Sequence, residues 1–392
     1  MSRREVGRSA RTRIRSWSLF QAPRRGLASG LALLLVLAGG CGSGPDLPPE
    51  VERWGLTVET ARLQPTLRVF NFPDYLDPDL IRLFRETYGV RVVQDFFDTN
   101  EAMMARVRAG GGRQFDLVVA SDYAVEMMVA AGELAPLDPE LLPNWRHLHP
   151  RFLGLPYDPE NRYSIPYQWG TTGLGVRTDR IQGDPQALAT WATLFEAEGP
   201  PLRFALLDDP RETIGAALLY LGYSVNSTDD GELARAEALL ARARDRAVAF
   251  TPATTGRDLL VAGEVNLAHN HSGDVAAARQ DRPGILYLIP REGAVIWADN
   301  MVIPAGSAGS YTAHVFMNFL LDPEIGARLT NDIRYHSPNE GAWPHLDPEL
   351  REEMGQVMAE GALDRLEFIR DVGEDRRKFD RLWTRVRAGG GG

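Results

Sequence analysis

From Leu67 onward the chain alternates between short apolar runs and stretches with helical spacing. "LRVFN" (67–71) is brief and apolar, as a strand requires. "DPDLIRLFRETYG" (77–89) opens on Asp77-Pro78, sets Leu80, Phe84 and Tyr88 on one helical face and stops at Gly89. "VRVVQDFF" (90–97) predicts a second strand, and "NEAMMARVRAG" (100–110) a helix with Met103, Met104 and Val107 inward. "FDLVVA" (115–120) predicts a strand buried on both faces. The order returns with strands at "RFALLDD" (203–209), "GEVNLAHN" (263–270), "GILYLIP" (284–290) and "VIWADNMVIP" (295–304). Helical pieces separate or follow them, at "PRETIGAALLYLG" (210–222), "SGDVAAARQ" and "SYTAHVFMNFLLDP" (310–323). Such alternation builds α/β sheets that are mostly parallel.

The first 40 residues follow a different rule. Eight arginines stand against the single acid Glu5, and an apolar run from Gly26 to Leu37 ends in "LAGGC". A basic start, a short apolar core and small residues before a cysteine describe an export signal, and the core is too short for a membrane-spanning helix. Cys41, the only cysteine, stands where a lipoprotein signal is cleaved and the thiol acylated, so lipidation is expected there and an internal disulfide is excluded. Residues 41–65, rich in Pro, Gly and charge, read as a tether, and the glycines of 389–392 as a disordered tail. The first 40 residues carry +7, so the −10 of the whole chain becomes about −17 without them. Such a surface argues against nucleic acid and suits a cationic ligand.

In open parallel sheets, ligands bind beyond the carboxyl ends of the strands. The residues there are Phe72 to Tyr75, Ser121 to Tyr123, Asp208 to Glu212, His271 to Asp274, and Trp297 to Asp299. Taken singly, Asp209 and Glu212 read as helix caps and Trp297 as core. Taken together, five strand ends share aromatics and carboxylates. That mixture suits an ammonium ligand: aromatic faces attract cations by about 0.5–2 kcal/mol each, and a buried dication needs countercharges.

"VFNFPDYLDPDLIRLFRETYGVRV" resembles the opening of the bacterial spermidine/putrescine-binding proteins, with an aromatic, an acid and a tyrosine after the first strand. "FDLVVASDYAVEMM", "YSIPYQWGTTGLGV", "DDPRETIGAALLYLGYS", "GEVNLAHNHSGDVAAARQ", "GAVIWADNMVIP" and "YHSPN" are similar in the same order, across about residues 66–388. The resemblance implies a two-lobed periplasmic-binding-protein clamshell of type II. Lobe I would hold 66–172 and 300–344, and lobe II 173–299 and 345–388, with crossings near Thr172, Asp299 and Pro344. It also implies a monomer in the cell envelope, without cofactor, that passes a polyamine to an ABC permease and its ATPase. Carried over by position, the ligand residues are Phe72, Asp74, Tyr75, Ser121, Tyr123, Asp209, Glu212, Asp274, Trp297, Asp299 and Tyr335. The chain departs from the pattern at Phe72 (usually tryptophan), Pro73 (serine or threonine), His271 (a tryptophan wall) and Ile369 (glutamine in spermidine-selective members). Asp274 matches the putrescine-selective members, so the mixture leans toward a short diamine.

Two other readings compete. His269 and His271, two apart on a strand, share a face and with Asp274 offer a metal site. An enzyme is disfavoured by the absence of a Gly-x-Ser-x-Gly elbow. Arg211 is the one cleft arginine expected, bracing Asp209 or Glu212. His271 is expected to gain its proton below pH about 6.5 and compete with an amine.

Overall fold

The computed structural model describes residues 47–196, 202–358 and 365–389. The expected export signal, Cys41 and residues 390–392 of the expected tail lie outside the described residues.

Part of the expected tether is folded. Strands β1 (Glu50–Arg53) and β2 (Leu56–Glu59) form an antiparallel hairpin. Its two turn residues, Trp54 and Gly55, have φ of 48° and 70°, the left-handed pair that a two-residue hairpin turn of matching twist demands. Trp54 is a bulky residue in a costly conformation. Its ring packs edge-on against Phe319 at 4.4 Å and Tyr88 at 5.8 Å, and Val58 is buried, which offsets that cost.

Strands β3 (Thr66–Asn71), β4 (Arg91–Phe96) and β5 (Leu117–Ser121) are parallel neighbours, in the order β4-β3-β5. Between and after them run α1 (Pro78–Tyr88), α2 (Asn100–Ala109) and α3 (Asp122–Ala130). Asp77 caps α1 by accepting from the Asp79 amide, and Gly89 ends it at φ 68°. The long strand β6 (Ser164–Arg177) then leads, through α4 (Ala192–Phe195), to a second wing. That wing holds β7 (Phe204–Leu207), α5 (Pro210–Tyr220), α6 (Asp230–Arg244), β8 (Ala249–Thr251), α7 (Ala253–Ala262), β9 (Leu267–His271) and α8 (Ser272–Asp281). Its parallel order is β9-β7-β8.

After β10 (Ile285–Leu288), strand β11 (Ala294–Val302) returns antiparallel to β6 and pairs with β5 on its other side. One ten-stranded sheet results, with two parallel wings joined by the antiparallel pair β11-β6. Every residue of β6 and β11 is buried. The chain closes with α9 (Ser310–Leu320), α10 (Pro323–Ile333), α11 (Pro348–Met358), β12 (Leu366–Glu367), paired to β11, and α12 (Arg376–Ala388). Thr172 and Asp299 lie on the two joining strands, and Pro344 lies in a short 3-10 helix, Glu340–His345. The α/β class and the mostly parallel wings agree with the sequence.

Candidate ligand-binding cleft

The carboxyl ends of both wings open onto one cavity of about 730 Å³. All twelve residues expected at a ligand site line it: Phe72, Asp74, Tyr75, Ser121, Tyr123, Asp209, Glu212, His271, Asp274, Trp297, Asp299 and Tyr335. Ile369 lines it as well.

Backbone turns at the strand ends aim these groups. After β3, the Asn71 side chain accepts from the Phe72 amide at 2.9 Å, and Asp74 bends the loop at φ 53°. The Tyr75 carbonyl accepts from the Tyr167 hydroxyl, and its ring stands edge-on to Phe72, Tyr167 and Tyr335. Tyr167 sits where the β6-β11 register slips next to Asp299, a bulge of the kind that re-aims side chains beside sites. Asp299 and Trp297, two apart on β11, both reach the cavity.

Asp299 is the focus of the polar contacts. Ser121 Oγ donates to one of its oxygens at 2.6 Å, and Tyr75 Oη donates to the other at 2.9 Å. Both donors are neutral, and no cationic side chain among the described residues pairs with it. Burial pushes its pKa up to about 6, with the two hydroxyls pulling back. Beside it, Trp297 Nε1 donates to Thr172 Oγ1 at 3.2 Å, and the His271 ring stands edge-on to the indole. Two glycines make room for these rings. A Cβ on Gly170 would lie 2.6 Å from the Trp297 ring, and one on Gly273 would lie 2.5 Å from that of Tyr335.

Asp274 is arranged differently. It accepts from the Tyr335 hydroxyl and lies 3.7 Å from the guanidinium of Arg257. Burial raises it to about 6 against those two partners. Arg257, on α7, also reaches Asp74 across the cavity at 3.1 Å. A third group of acids lies elsewhere on the wall. Asp209 caps α5 by accepting from the Arg211 and Glu212 amides. Glu101 accepts from Tyr123 Oη at 3.2 Å. One oxygen each of Glu101 and Glu212 is buried without a hydrogen-bond partner. Burial, with Asp209 adding repulsion, holds the Glu212 carboxyl well above its usual range.

The family description "Bacterial extracellular solute-binding protein" matches residues 80–352. The chain is 32% identical over 335 residues to the spermidine/putrescine-binding periplasmic protein of Salmonella typhimurium, covering 86% of this chain and 95% of that protein. It is 34% identical over 334 residues to the putrescine/cadaverine-binding protein of Pseudomonas aeruginosa, covering 82% and 93%. The chain belongs to the bacterial extracellular solute-binding proteins. A solved relative, the spermidine/putrescine ABC transporter substrate-binding protein PotD from Streptococcus pneumoniae, matches with a TM-score of 0.71 at 28% identity. That match covers 83% of this chain and 99% of PotD.

As a solute-binding protein of this family it is not an enzyme, and its cleft acids are read as binding groups. The metal reading fails on geometry. His269 turns beneath α5, with Nδ1 3.3 Å from Thr213 Oγ1 and its ring edge-on to Trp191, while only His271 reaches the cavity. Among the described residues no cluster of three or more metal-binding side chains occurs. The expected titration of His271 is also corrected, because burial lowers its pKa to about 4. Arg211 does not brace Asp209 or Glu212 with its guanidinium. That group donates to the Arg370 carbonyl and to Asn226, and stacks over Phe379. Two arginines line the cavity, Arg106 and Arg257, and Arg257 is the one that reaches Asp74 and Asp274.

Proposed function

We propose that this solute-binding protein captures a polyamine, a putrescine- or spermidine-like cation, and delivers it to an ABC permease driven by its ATPase. The observation that carries this reading is Asp299: a buried carboxylate held by neutral hydroxyls, facing a cavity walled by Trp297, Tyr335 and Tyr75. An ammonium supplies the charge that this carboxylate lacks, and the rings attract it while packing against its methylenes. The ligand-binding set is the twelve residues named above, with Glu212 and Glu101 offering free acceptor oxygens to a second ammonium. The named ligands of the Salmonella and Pseudomonas relatives support the same class.

The protein acts as a monomer of two lobes, 66–172 with 300–344 and 173–299 with 345–388, hinged where β6 and β11 cross. Cys41, at the end of "LAGGC", carries the lipid that holds it to the membrane. Calorimetry with putrescine, cadaverine, spermidine, spermine and agmatine tests the ligand. At least one binds with a micromolar or tighter constant, and no heat from any of them refutes the reading. For the anchor, intact mass of the native protein shows an acylated Cys41, and a free thiol there refutes it.

A further inference from the structure

Arg257 gives the cleft a cation of its own. It projects from the second turn of α7 into the cavity, where its three nitrogens meet three aspartates: Asp74 at 3.1 Å, Asp258 at 3.2 Å and Asp274 at 3.7 Å. Asp74 follows β3 in one wing, and Asp274 opens α8 in the other, so the guanidinium joins both sides of the cleft. Burial opposes its charge, and the acids around it more than compensate. Among the described residues no cation forms a contact ion pair with Asp299, Glu101 or Glu212. The first meets only hydroxyls, the other two keep an unpartnered buried oxygen, and Arg211 acts on Glu101 only at longer range.

The cleft therefore has two kinds of carboxylate. Asp74 and Asp274 share one guanidinium, which occupies the space between them. Asp299, Glu212 and Glu101 are open. Resting on the polyamine reading, we propose that Arg257 is a specificity-determining residue, a resident cation that fills the Asp74–Asp274 position and confines the cleft to diamines. A diamine places its two ammonium groups at the open acids. Asp299 takes one ammonium, and Glu212 with Glu101 takes the other. A triamine has a third charge. Of the acids that remain, Asp209 is engaged by the α5 amides while Asp74 and Asp274 have Arg257 between them, so the third ammonium must displace that guanidinium. Like-charge juxtaposition is how a site rejects a ligand that its attractive contacts alone would accept.

The experiment is calorimetric titration of the full chain with putrescine and spermidine. Wild type prefers putrescine. Arg257→Gln raises spermidine affinity at least tenfold and changes putrescine affinity less than threefold. Arg106→Gln removes one positive charge from another part of the cavity wall, where Arg106 pairs with Asp95. It leaves the ratio of the two affinities within threefold, which separates local release of the acids from a general gain in negative charge. Asp74→Asn in the Arg257→Gln background cancels at least half of the logarithmic gain for spermidine. A second variant, Arg257→Lys, keeps the positive charge and leaves the ratio of the two affinities within threefold of wild type. An unchanged ratio in Arg257→Gln overturns the proposal, as does a ratio in Arg257→Lys shifted as far as in Arg257→Gln. If wild type binds no amine at all, the polyamine reading has failed; if it binds both amines equally and Arg257→Gln changes nothing, only the role of Arg257 has failed.

Discussion

Asp299 and Asp274 lie on two sides of the Tyr75 and Tyr335 rings, and on the face of it they are twins. Both are buried, both accept from a tyrosine hydroxyl, and burial raises both to about 6. They differ in what completes their surroundings. Asp299 has a second hydroxyl, from Ser121. Asp274 has a guanidinium. A hydroxyl satisfies an acceptor without cancelling its charge, so Asp299 remains electrostatically unfinished in a medium of low dielectric. Asp274 shares a cation that the fold already supplies. Burial alone therefore does not mark a ligand acid; the identity of its partners does.

The most direct way to break this contrast is substitution. Asp299→Asn leaves an ammonium buried without its countercharge and costs about 2–5 kcal/mol of amine binding. Asp274→Asn costs about 1 kcal/mol or less, since the group left short is Arg257, which keeps its partially exposed pair with Asp74. Calorimetry with the best-bound amine measures both. Equal losses would erase the distinction, and no loss in either would remove the amine from this cleft altogether.

A smaller effect belongs to the ring between them. Trp297 contributes a π-face and apolar area, and its indole nitrogen is occupied by Thr172. Trp297→Ala should cost about 1–3 kcal/mol of amine affinity through lost packing and cation–π attraction. Trp297→Phe should recover part of it. If alanine and phenylalanine behave alike, the indole is a structural filler between His271 and Tyr335, and the charge contrast alone sets affinity.

How much of this was legible beforehand depended on where each residue stands in its element. Groups at the ends of parallel strands, such as Tyr75 and Ser121, lie at the cavity because the topology of the wings sends those ends there, whereas Trp297 and Asp299 reach it from the middle of β11. Helix-borne residues carry such an address only where the helix starts directly at a strand end, as for Tyr123, Glu212 and Asp274. Arg257 lies inside α7 and Glu101 in the first turn of α2, and their sequence context shows only helical spacing. Arg211 stands next to an acid in sequence, but its side chain leaves the helix toward Asn226 and Phe379. The β1-β2 hairpin was hidden by its turn. Trp54-Gly55 replaces the Asn-Gly or Asp-Gly that marks such turns, and tertiary packing of the Trp54 ring stands in for local propensity.

The gentlest test of the contrast is acidity. An ammonium favours the ionised carboxylate and draws its pKa back toward the ordinary range, so binding below pH 6 releases a proton and affinity falls as the pH drops. From pH 7 to pH 5, Asp299 alone weakens binding by about tenfold. The free protein moves the other way. Carboxyls raised on folding give stability that is full below their unfolded pKa and is lost as pH rises through the folded one. That loss runs from the ordinary carboxyl value of 3.8 up to about 6 for Asp299 and Asp274, and on to about 8 for Asp122, which is buried and accepts from the Tyr123 and Ala298 amides. Melting temperature without ligand should thus rise between pH 8 and pH 5, while the increment that ligand adds shrinks. His271, held near 4, takes no part over that range. Substituting His271→Phe should leave the affinity profile between pH 7 and 5 unchanged, and Asp299→Asn should flatten it. A profile flattened by His271→Phe instead would place the sensitive proton on the imidazole and remove the role assigned to the carboxyl.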